Sequence, residues 1–147
     1  MHMSSESNNK IEVNAKATYL GEQSEPEANR YVFAYTITIN NIGKNSARLR
    51  SRHWHITDAN GKQEEVHGEG VIGKQPYLKP GESFEYSSGT ILETPVGAMQ
   101  GYYDMTSDDG SQFKADIAAY IAYSGNKTSY DEPLDRNGYD RSGNGWA

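Results

Sequence analysis

Three glycines between residues 66 and 81 stand in the order G-x-G-x-x-G: Gly68, Gly70 and Gly73. In dinucleotide-binding proteins this spacing lets the backbone approach a pyrophosphate at the N-terminus of the following helix. Here Pro76 and the Pro80-Gly81 pair follow instead, and such residues do not build a helix. A looser chemistry remains, in which glycine amides form a nest for a phosphate, assisted by His67 and Lys74. The simpler interpretation is that the glycines shape the turns of a long ordered loop that crosses between two sheets.

A second set of side chains could bind a divalent metal. His53 and His55 are two residues apart, so on a strand they project from one face, and His67 could join them. Imidazole combined with a carboxylate is a common ligand set for divalent transition metals. The nearby carboxylates are Glu64, Glu65 and Glu69. The competing interpretation is that these are ordinary histidines on the surface of a strand.

Arg48, Arg50 and Arg52 alternate along the same segment, which predicts that they share one face of a strand. Guanidinium groups bind carboxylates and phosphates in a planar, two-pronged geometry. The three arginines are therefore candidates for contact with an acidic protein or a phosphate. A solvated strand face paired with neighbouring acids would explain them equally simply.

Catalytic chemistry has no local signal in the chain. The aspartates that could serve as acids or bases lie in or near predicted turns, where they stabilise the backbone without chemistry: Asp58, Asp104, Asp108 and Asp109. Ser83, Ser87 and Ser88 flank a predicted strand and lack the glycine-flanked elbow of a nucleophilic serine. We therefore predict a protein that is not an enzyme and needs no cofactor.

The composition limits the classes of partner. The net charge of −6 opposes generic binding to nucleic acid, which requires a basic surface. The chain has no cysteine, which excludes disulfides and thiolate metal sites. No apolar run has the length of a membrane span, and the first residues lack the features of a signal peptide. We expect a cytoplasmic protein.

Alternation of apolar and polar residues predicts the elements that position these side chains. Strands are predicted at residues 11–19, 31–39, 47–57, 83–92, 99–105 and 112–123, with a further one leading into the loop at residue 66. Leu49 stands at an odd position whereas Trp54 and Ile56 stand at even ones, so a β-bulge near residues 51–53 is needed to keep one apolar face. About seven strands with turns between them predict an all-β, immunoglobulin-like or fibronectin type III-like sandwich of two sheets.

The two ends of the chain differ from the middle in composition. Residues 1–10 are polar without periodicity and are predicted to be a disordered leader. Residues 124–147 are rich in Gly, Asn, Asp and Ser, which predicts a polar, disordered tail. The predicted domain spans residues 11–123.

Several segments in a fixed order carry a resemblance to a known family: residues 52–58, 68–76, 78–81, 86–90 and 97–105. Together they resemble the bacterial ApaG family, also called CorD, over about residues 10–122. The resemblance implies an immunoglobulin-like or fibronectin type III-like sandwich without established catalytic activity. It also implies a role in protein–protein interaction and an association with cobalt tolerance and magnesium efflux. Residues 117–122 lack the proline that closes the last strand in the family, and residues 124–147 have no counterpart in it.

The sequence therefore predicts a non-enzymatic module that binds another protein, whose identity the residues do not specify. The alternative is a small-ligand binder that holds a phosphate compound or a divalent metal at the glycine-rich loop. In both interpretations the loop and the arginines of the third strand are the candidate surfaces.

Overall fold

The computed structural model describes residues 8–125 and contains eight strands. In chain order they are β1 Ile11–Tyr19, β2 Tyr31–Asn41, β3 Ala47–Asp58, β4 Gln63–Glu69, β5 Tyr77–Leu78, β6 Ser83–Leu92, β7 Val96–Ser107 and β8 Gln112–Tyr123. Two short 3-10 helices, Gly21–Gln23 and Pro26–Ala28, lie between β1 and β2. Within residues 8–125 there is no helix of the length and apolarity that a membrane span requires.

The strands form two antiparallel sheets. The three-stranded sheet has the order β1-β2-β6, and the five-stranded sheet has the order β4-β3-β7-β8, with β5 paired to β3. The buried side chains of both sheets form one core, which includes Phe33 and Ile37 from β2, Leu49 and Trp54 from β3, and Met105 from β7. This confirms the predicted all-β sandwich of the immunoglobulin-like or fibronectin type III-like kind, with eight strands instead of about seven.

The alternation of β2 is reproduced from Phe33 to Ile39. Phe33, Tyr35, Ile37 and Ile39 are buried, and the residues between them are half-exposed. Aromatic and β-branched side chains favour such a pleated, half-buried surface, and β2 lies at the centre of its sheet. The strand therefore anchors the three-stranded sheet on the core.

β3 contains the predicted irregularity, slightly earlier than expected. Its register with β7 shifts between Leu49 and Ser51, whereas the sequence placed the bulge near residues 51–53. The extra residue lets Leu49, Trp54 and Ile56 all face the core despite their different parity. A residue before the shift and a residue after it therefore share a face when one has an odd number and the other an even number.

A second register shift lies between β7 and β8, at Met99 and Gly101, and it corrects the predicted faces of β8. The period-two pattern of residues 113–123 in the sequence predicts that Ile121 and Tyr123 share a face with Ile117, but they are 60% and 55% exposed. Ala122 is buried instead. The prediction was wrong because the shift reverses the alternation after Ile117.

The predicted long loop between residues 66 and 81 is also corrected. Residues up to Glu69 belong to β4, which pairs with β3 from Ser51 to Thr57. Two further residues form β5. What remains of the loop is a tight turn that follows β4 and two short connections.

Residues 8–10, which the sequence assigned to a disordered leader, are held by hydrogen bonds. The carbonyl of Asn8 accepts from the amides of Lys44 and Asn45, at 2.8 and 2.9 Å. The side chain of Asn9 is buried and donates to Ser111 Oγ at 2.9 Å. The rest of the predicted leader, and the predicted tail beyond residue 125, lie outside the described residues.

Candidate functional site

The glycine-rich segment is a two-residue β-turn that closes a hairpin. Val71 and Lys74 exchange backbone hydrogen bonds of 2.8 and 2.9 Å across Ile72 and Gly73. The φ angles of these two central residues are +44° and +78°, and positive φ at both positions is what a type I′ turn requires. The amide of Gly70 donates to the carbonyl of Arg50 at 2.8 Å, which ties the hairpin to β3.

These hydrogen bonds bear directly on the predicted phosphate nest. The amides of Gly70, Val71 and Lys74 already donate to backbone carbonyls, so they do not converge on an open point. Gly68 lies within β4 as the partner of Arg52, and His67 is likewise a strand residue. The segment thus has the hydrogen bonding of a hairpin, and three of the amides that a nest would use are engaged.

Two of the glycines leave room for close neighbours. A Cβ on Gly70 would lie 2.2 Å from the carbonyl oxygen of Lys74, and the φ of Gly70 is +63°. A Cβ on Gly68 would lie 2.6 Å from the guanidinium carbon of Arg52. That guanidinium crosses over Gly68 and donates through Nη1 to the carbonyls of Glu69 and Gly70, at 3.1 and 2.9 Å. Arg52 therefore caps the end of β4.

The three arginines do not share one face, which corrects the sequence prediction. Arg48 is the partner of Thr106, and Arg50 Nε donates to the Thr106 hydroxyl at 3.3 Å. Arg52 is the partner of Tyr103, which is fully buried. Directly opposed residues of neighbouring strands share a face, so Arg52 leaves the sheet on the side opposite to Arg48. The register shift inside β3 is the cause.

Arg48 is held in place on the outer face of the five-stranded sheet. Its Nη1 donates to the carbonyl of Gln75 at 2.8 Å, and its guanidinium carbon lies 5.1 Å from the centre of the Tyr77 ring. The Tyr77 hydroxyl donates to Asp108 Oδ2 at 2.6 Å, and Gln75 Nε2 donates to the carbonyl of Arg50 at 2.9 Å. Tyr77 is 37% exposed and Arg50 is exposed. We call Arg48, Arg50, Gln75 and Tyr77 the β3 arginine surface.

The outer face of the same sheet also holds a chain of titratable side chains. His53 and His67 are cross-strand partners, and their Nδ1 atoms are 2.7 Å apart. His53 Nε2 lies 2.7 Å from Asp104 Oδ2, and the Ser51 hydroxyl donates to the same oxygen at 2.8 Å. Glu65 Oε1 is 3.5 Å from His67 Nε2. Because the two Nδ1 atoms are in hydrogen-bond contact, one must donate and the other must accept.

The metal set predicted from three histidines is only partly assembled. His53 and His67 meet, whereas His55 Nε2 contacts Gln63 Oε1 at 3.2 Å. Over residues 8–125 no three His, Cys, Asp or Glu side chains come together in a way that could hold a metal ion. His53 and His55 project from the same face, as predicted, but His53 contacts His67 and Asp104 whereas His55 contacts Gln63.

Aromatic and charged groups pack against the histidine pair. The Tyr102 ring stacks on His53, with centroids 4.4 Å apart, and Lys114 Nζ lies 4.3 Å from the centre of the same tyrosine. Burial alone would raise the pKa of Asp104, but hydrogen bonds from Ser51 and His53 outweigh it and hold that pKa below its ordinary value. A cleft of about 400 Å³ opens beside the pair, and its lining includes Glu65, Gln100 and Asp116.

Sequence reasoning missed the partners of His53. It placed Asp104 in or near a turn, but this residue lies within β7, opposite Ser51. Tyr102 is the register partner of His53 on the same strand. The signal that could have found them is the pairing of β3 with β7, which cannot be aligned without locating the bulge in β3.

Comparisons with known proteins agree with this architecture. A family model described as the ApaG domain matches residues 21–107. The chain is 57% identical over 112 residues to Protein ApaG of Xanthomonas campestris pv. campestris, covering 76% of this chain and 88% of that protein. It is 54% identical over 112 residues to Protein ApaG of Xanthomonas euvesicatoria pv. vesicatoria, with the same coverage of each chain.

Solved structures give the same result. A crystal structure from Bordetella pertussis, of a protein provisionally named ApaA, superposes with a TM-score of 0.76 at 45% identity and covers 77% of this chain and 92% of that one. An X-ray structure of a structural-genomics target gives a TM-score of 0.77 at 42% identity, covering 90% of this chain and 98% of that one. The family model, the sequence relatives and the solved structures agree, and the chain belongs to the ApaG domain family.

Proposed function

We propose that this chain is a non-enzymatic module that binds an acidic partner protein through the β3 arginine surface. The observation that carries the proposal is the placement of Arg48, whose guanidinium is fixed between the Gln75 carbonyl and the Tyr77 ring. Arginine and tyrosine are among the residue types that contribute most binding energy at protein interfaces. A side chain that is ordered before binding loses less conformational entropy when a partner arrives.

Charge supports an acidic partner. The chain carries a net charge of −6, yet Arg48, Arg50 and Lys74 lie on β3 and the hairpin tied to it. The hydrogen bond to Gln75 uses one of the five N–H donors of the Arg48 guanidinium. A cationic surface attracts an acidic surface on a partner and repels a basic one. Contact of this kind weakens as salt screens the charges.

The hydrogen bonds of the histidine cluster favour a binding role over hydrolysis. The Ser51 hydroxyl donates to Asp104, so its proton is directed to a carboxylate and not to an imidazole. His53 uses Nε2 for Asp104 and Nδ1 for His67. An activated serine needs its hydroxyl bonded to the histidine that removes its proton. This arrangement therefore supports a module without nucleophilic chemistry.

A charge-reversal experiment tests the proposed function. The full chain, Arg50→Glu and Lys16→Glu are each immobilised and exposed at low salt to an extract of cells that encode the protein. Both variants change the net charge equally, but Lys16 is exposed on β1 of the other sheet. A partner that binds the native chain and Lys16→Glu, and loses about tenfold or more of its affinity for Arg50→Glu once purified, supports the proposal. Equal affinity for all three chains contradicts it.

A further inference from the structure

Ile72 adopts a backbone conformation that its side chain opposes. Its φ is +44°, and the only other non-glycine residue with positive φ in residues 8–125 is Asn29. Asparagine tolerates this region because its short side chain bonds locally, whereas a β-branched residue crowds its own backbone. The turn between Val71 and Lys74 forces the conformation, since both central positions of a type I′ turn require positive φ.

The side chain of Ile72 does not compensate for this strain by packing. It is 53% exposed, whereas Val71 beside it is fully buried in the core. Asparagine or glycine would fit the position without strain, and Asn-Gly is the pair that such turns favour. Folding therefore disfavours isoleucine here on two counts, backbone conformation and exposure of apolar area. Strain that the fold does not need points to a function of the residue itself.

The surroundings of Ile72 specify what it could contact. The tight turn places Ile72 at the tip of the hairpin, which a hydrogen bond from Gly70 ties to Arg50. Lys74 is in the same turn, and Gln75, the next residue, belongs to the β3 arginine surface. An apolar tip beside cationic groups complements an apolar pocket that is bordered by carboxylates.

We propose that Ile72 is the anchor of the interface, an apolar side chain on a hydrogen-bonded turn that inserts into a pocket rimmed by acidic groups on the partner protein. The inference rests on the proposed function and adds the shape and polarity of the partner's site. The hydrogen bonds between Val71 and Lys74 fix the backbone of Ile72 before binding, so little backbone entropy is lost when the pocket closes around it. The strained backbone of Ile72 lowers the stability of the fold, and the exposed side chain is available to the partner.

A pair of matched variants separates anchoring from folding. Ile91 is 48% exposed on β6 of the three-stranded sheet, and its φ is not positive. Ile72→Asn removes the strain, and we expect its melting temperature to rise by about 3–6 °C. Ile91→Asn loses a strand-favouring residue and should melt at the native temperature or slightly below. If Ile72→Asn melts below the native chain, the residue stabilises the fold and the inference is overturned.

Crosslinking then tests the contact. A photo-reactive amino acid is placed at position 72 or at position 91 of the full chain in cells that encode it, and the crosslinked protein is identified, purified and titrated calorimetrically. We expect an acidic partner crosslinked from position 72, with affinity about tenfold or more lower for Ile72→Asn and unchanged for Ile91→Asn. A product that is a second copy of this chain, or equal affinity for both variants, overturns the inference.

The outcomes also distinguish this inference from the proposed function. If Arg50→Glu abolishes binding of a purified partner and Ile72→Asn does not, the arginine surface binds and the anchor is rejected. If neither variant changes the affinity, both proposals are rejected together.

Discussion

Gly68→Ala should destabilise the native chain but stabilise a chain in which Arg52 is replaced by alanine. In the native chain the added Cβ would lie 2.6 Å from the Arg52 guanidinium, which must leave its position above the glycine. The two hydrogen bonds to the carbonyls of Glu69 and Gly70 are then lost or lengthened. In Arg52→Ala the guanidinium is absent, so the same Cβ meets none of the three close atoms that surround it in the native chain.

The magnitude follows from the contacts. Two hydrogen bonds from a partly exposed charged donor contribute roughly 1–2 kcal/mol together. Alanine in the interior of a strand is favoured over glycine by about 0.5–1 kcal/mol, because it loses less conformational entropy on folding. Gly68→Ala should therefore destabilise the native chain by about 0.5–1 kcal/mol and stabilise Arg52→Ala by a similar amount. The coupling energy between the two positions is about 1–2 kcal/mol.

Urea unfolding of the four chains of this double-mutant cycle measures the coupling. Gly89→Ala is the control, because Gly89 also lies in a strand and a Cβ there would meet its nearest atom, the Phe33 carbonyl oxygen, at 3.4 Å. Gly89→Ala should increase the free energy of unfolding by the same amount with and without Arg52. A coupling below about 0.3 kcal/mol between positions 68 and 52 would refute the assignment of this glycine to the arginine.

Three further predictions concern the sheet and its ionisable groups. Gly101→Ala should destabilise the protein by about 3 kcal/mol or more in urea unfolding, because its Cβ would lie 2.0 Å from the His53 carbonyl oxygen and must push β7 from β3. The lowered pKa of Asp104 adds stability that is present above its ordinary value of 3.8 and is lost as the pH falls below it, so the melting temperatures of Asp104→Asn and the native chain should converge in acid. Burial raises the pKa of Tyr86 and Tyr103 above 10, so stability should fall as the pH rises above 10, and Tyr103→Phe should reduce that slope in alkaline denaturation.

The sequence predicts those elements in which one face is buried and the other is exposed. β2 alternates from Phe33 to Ile39, and its bounds were predicted to within two residues. The mismatch in parity between Leu49 and Trp54 was enough to predict a bulge in β3, because a strand with one buried face cannot change register without exposing its apolar side chains. These predictions depend only on local order along the chain.

The sequence predicts β4 only as far as residue 66, because it is an edge strand with little burial. Val66 and Gly68 are its only half-buried residues, and the others are exposed. Hydrophobic alternation requires a buried face, and this strand contributes backbone hydrogen bonds without one. The reversal in β8 was hidden for another reason: Ala118 and Ala119 are small enough to occupy either face, so the sequence does not show where the register shifts.

The candidate site was less predictable than the fold because its contacts join distant parts of the chain. The contact of His53 with Asp104 spans 51 positions. The contact of His53 with His67 depends on the part of β4 beyond residue 66, which the sequence assigned to a loop. Arg48 could be named as a candidate binding residue from its type alone. Its position over Tyr77 required β5, which has two residues and no recognisable pattern.

The G-x-G-x-x-G spacing arises here from hairpin geometry, with a separate requirement at each glycine. Gly68 leaves room for the Arg52 side chain, Gly70 leaves room for the Lys74 carbonyl, and Gly73 meets nothing within 4 Å but has a φ of +78°. Gly68→Ala should therefore no longer destabilise the fold once Arg52 is removed. No side-chain deletion should restore the stability that is lost in Gly70→Ala or Gly73→Ala. A dinucleotide loop would instead couple all three glycines through one ligand. Different rescue behaviour at the three positions thus separates a structural origin of the motif from a ligand-binding one.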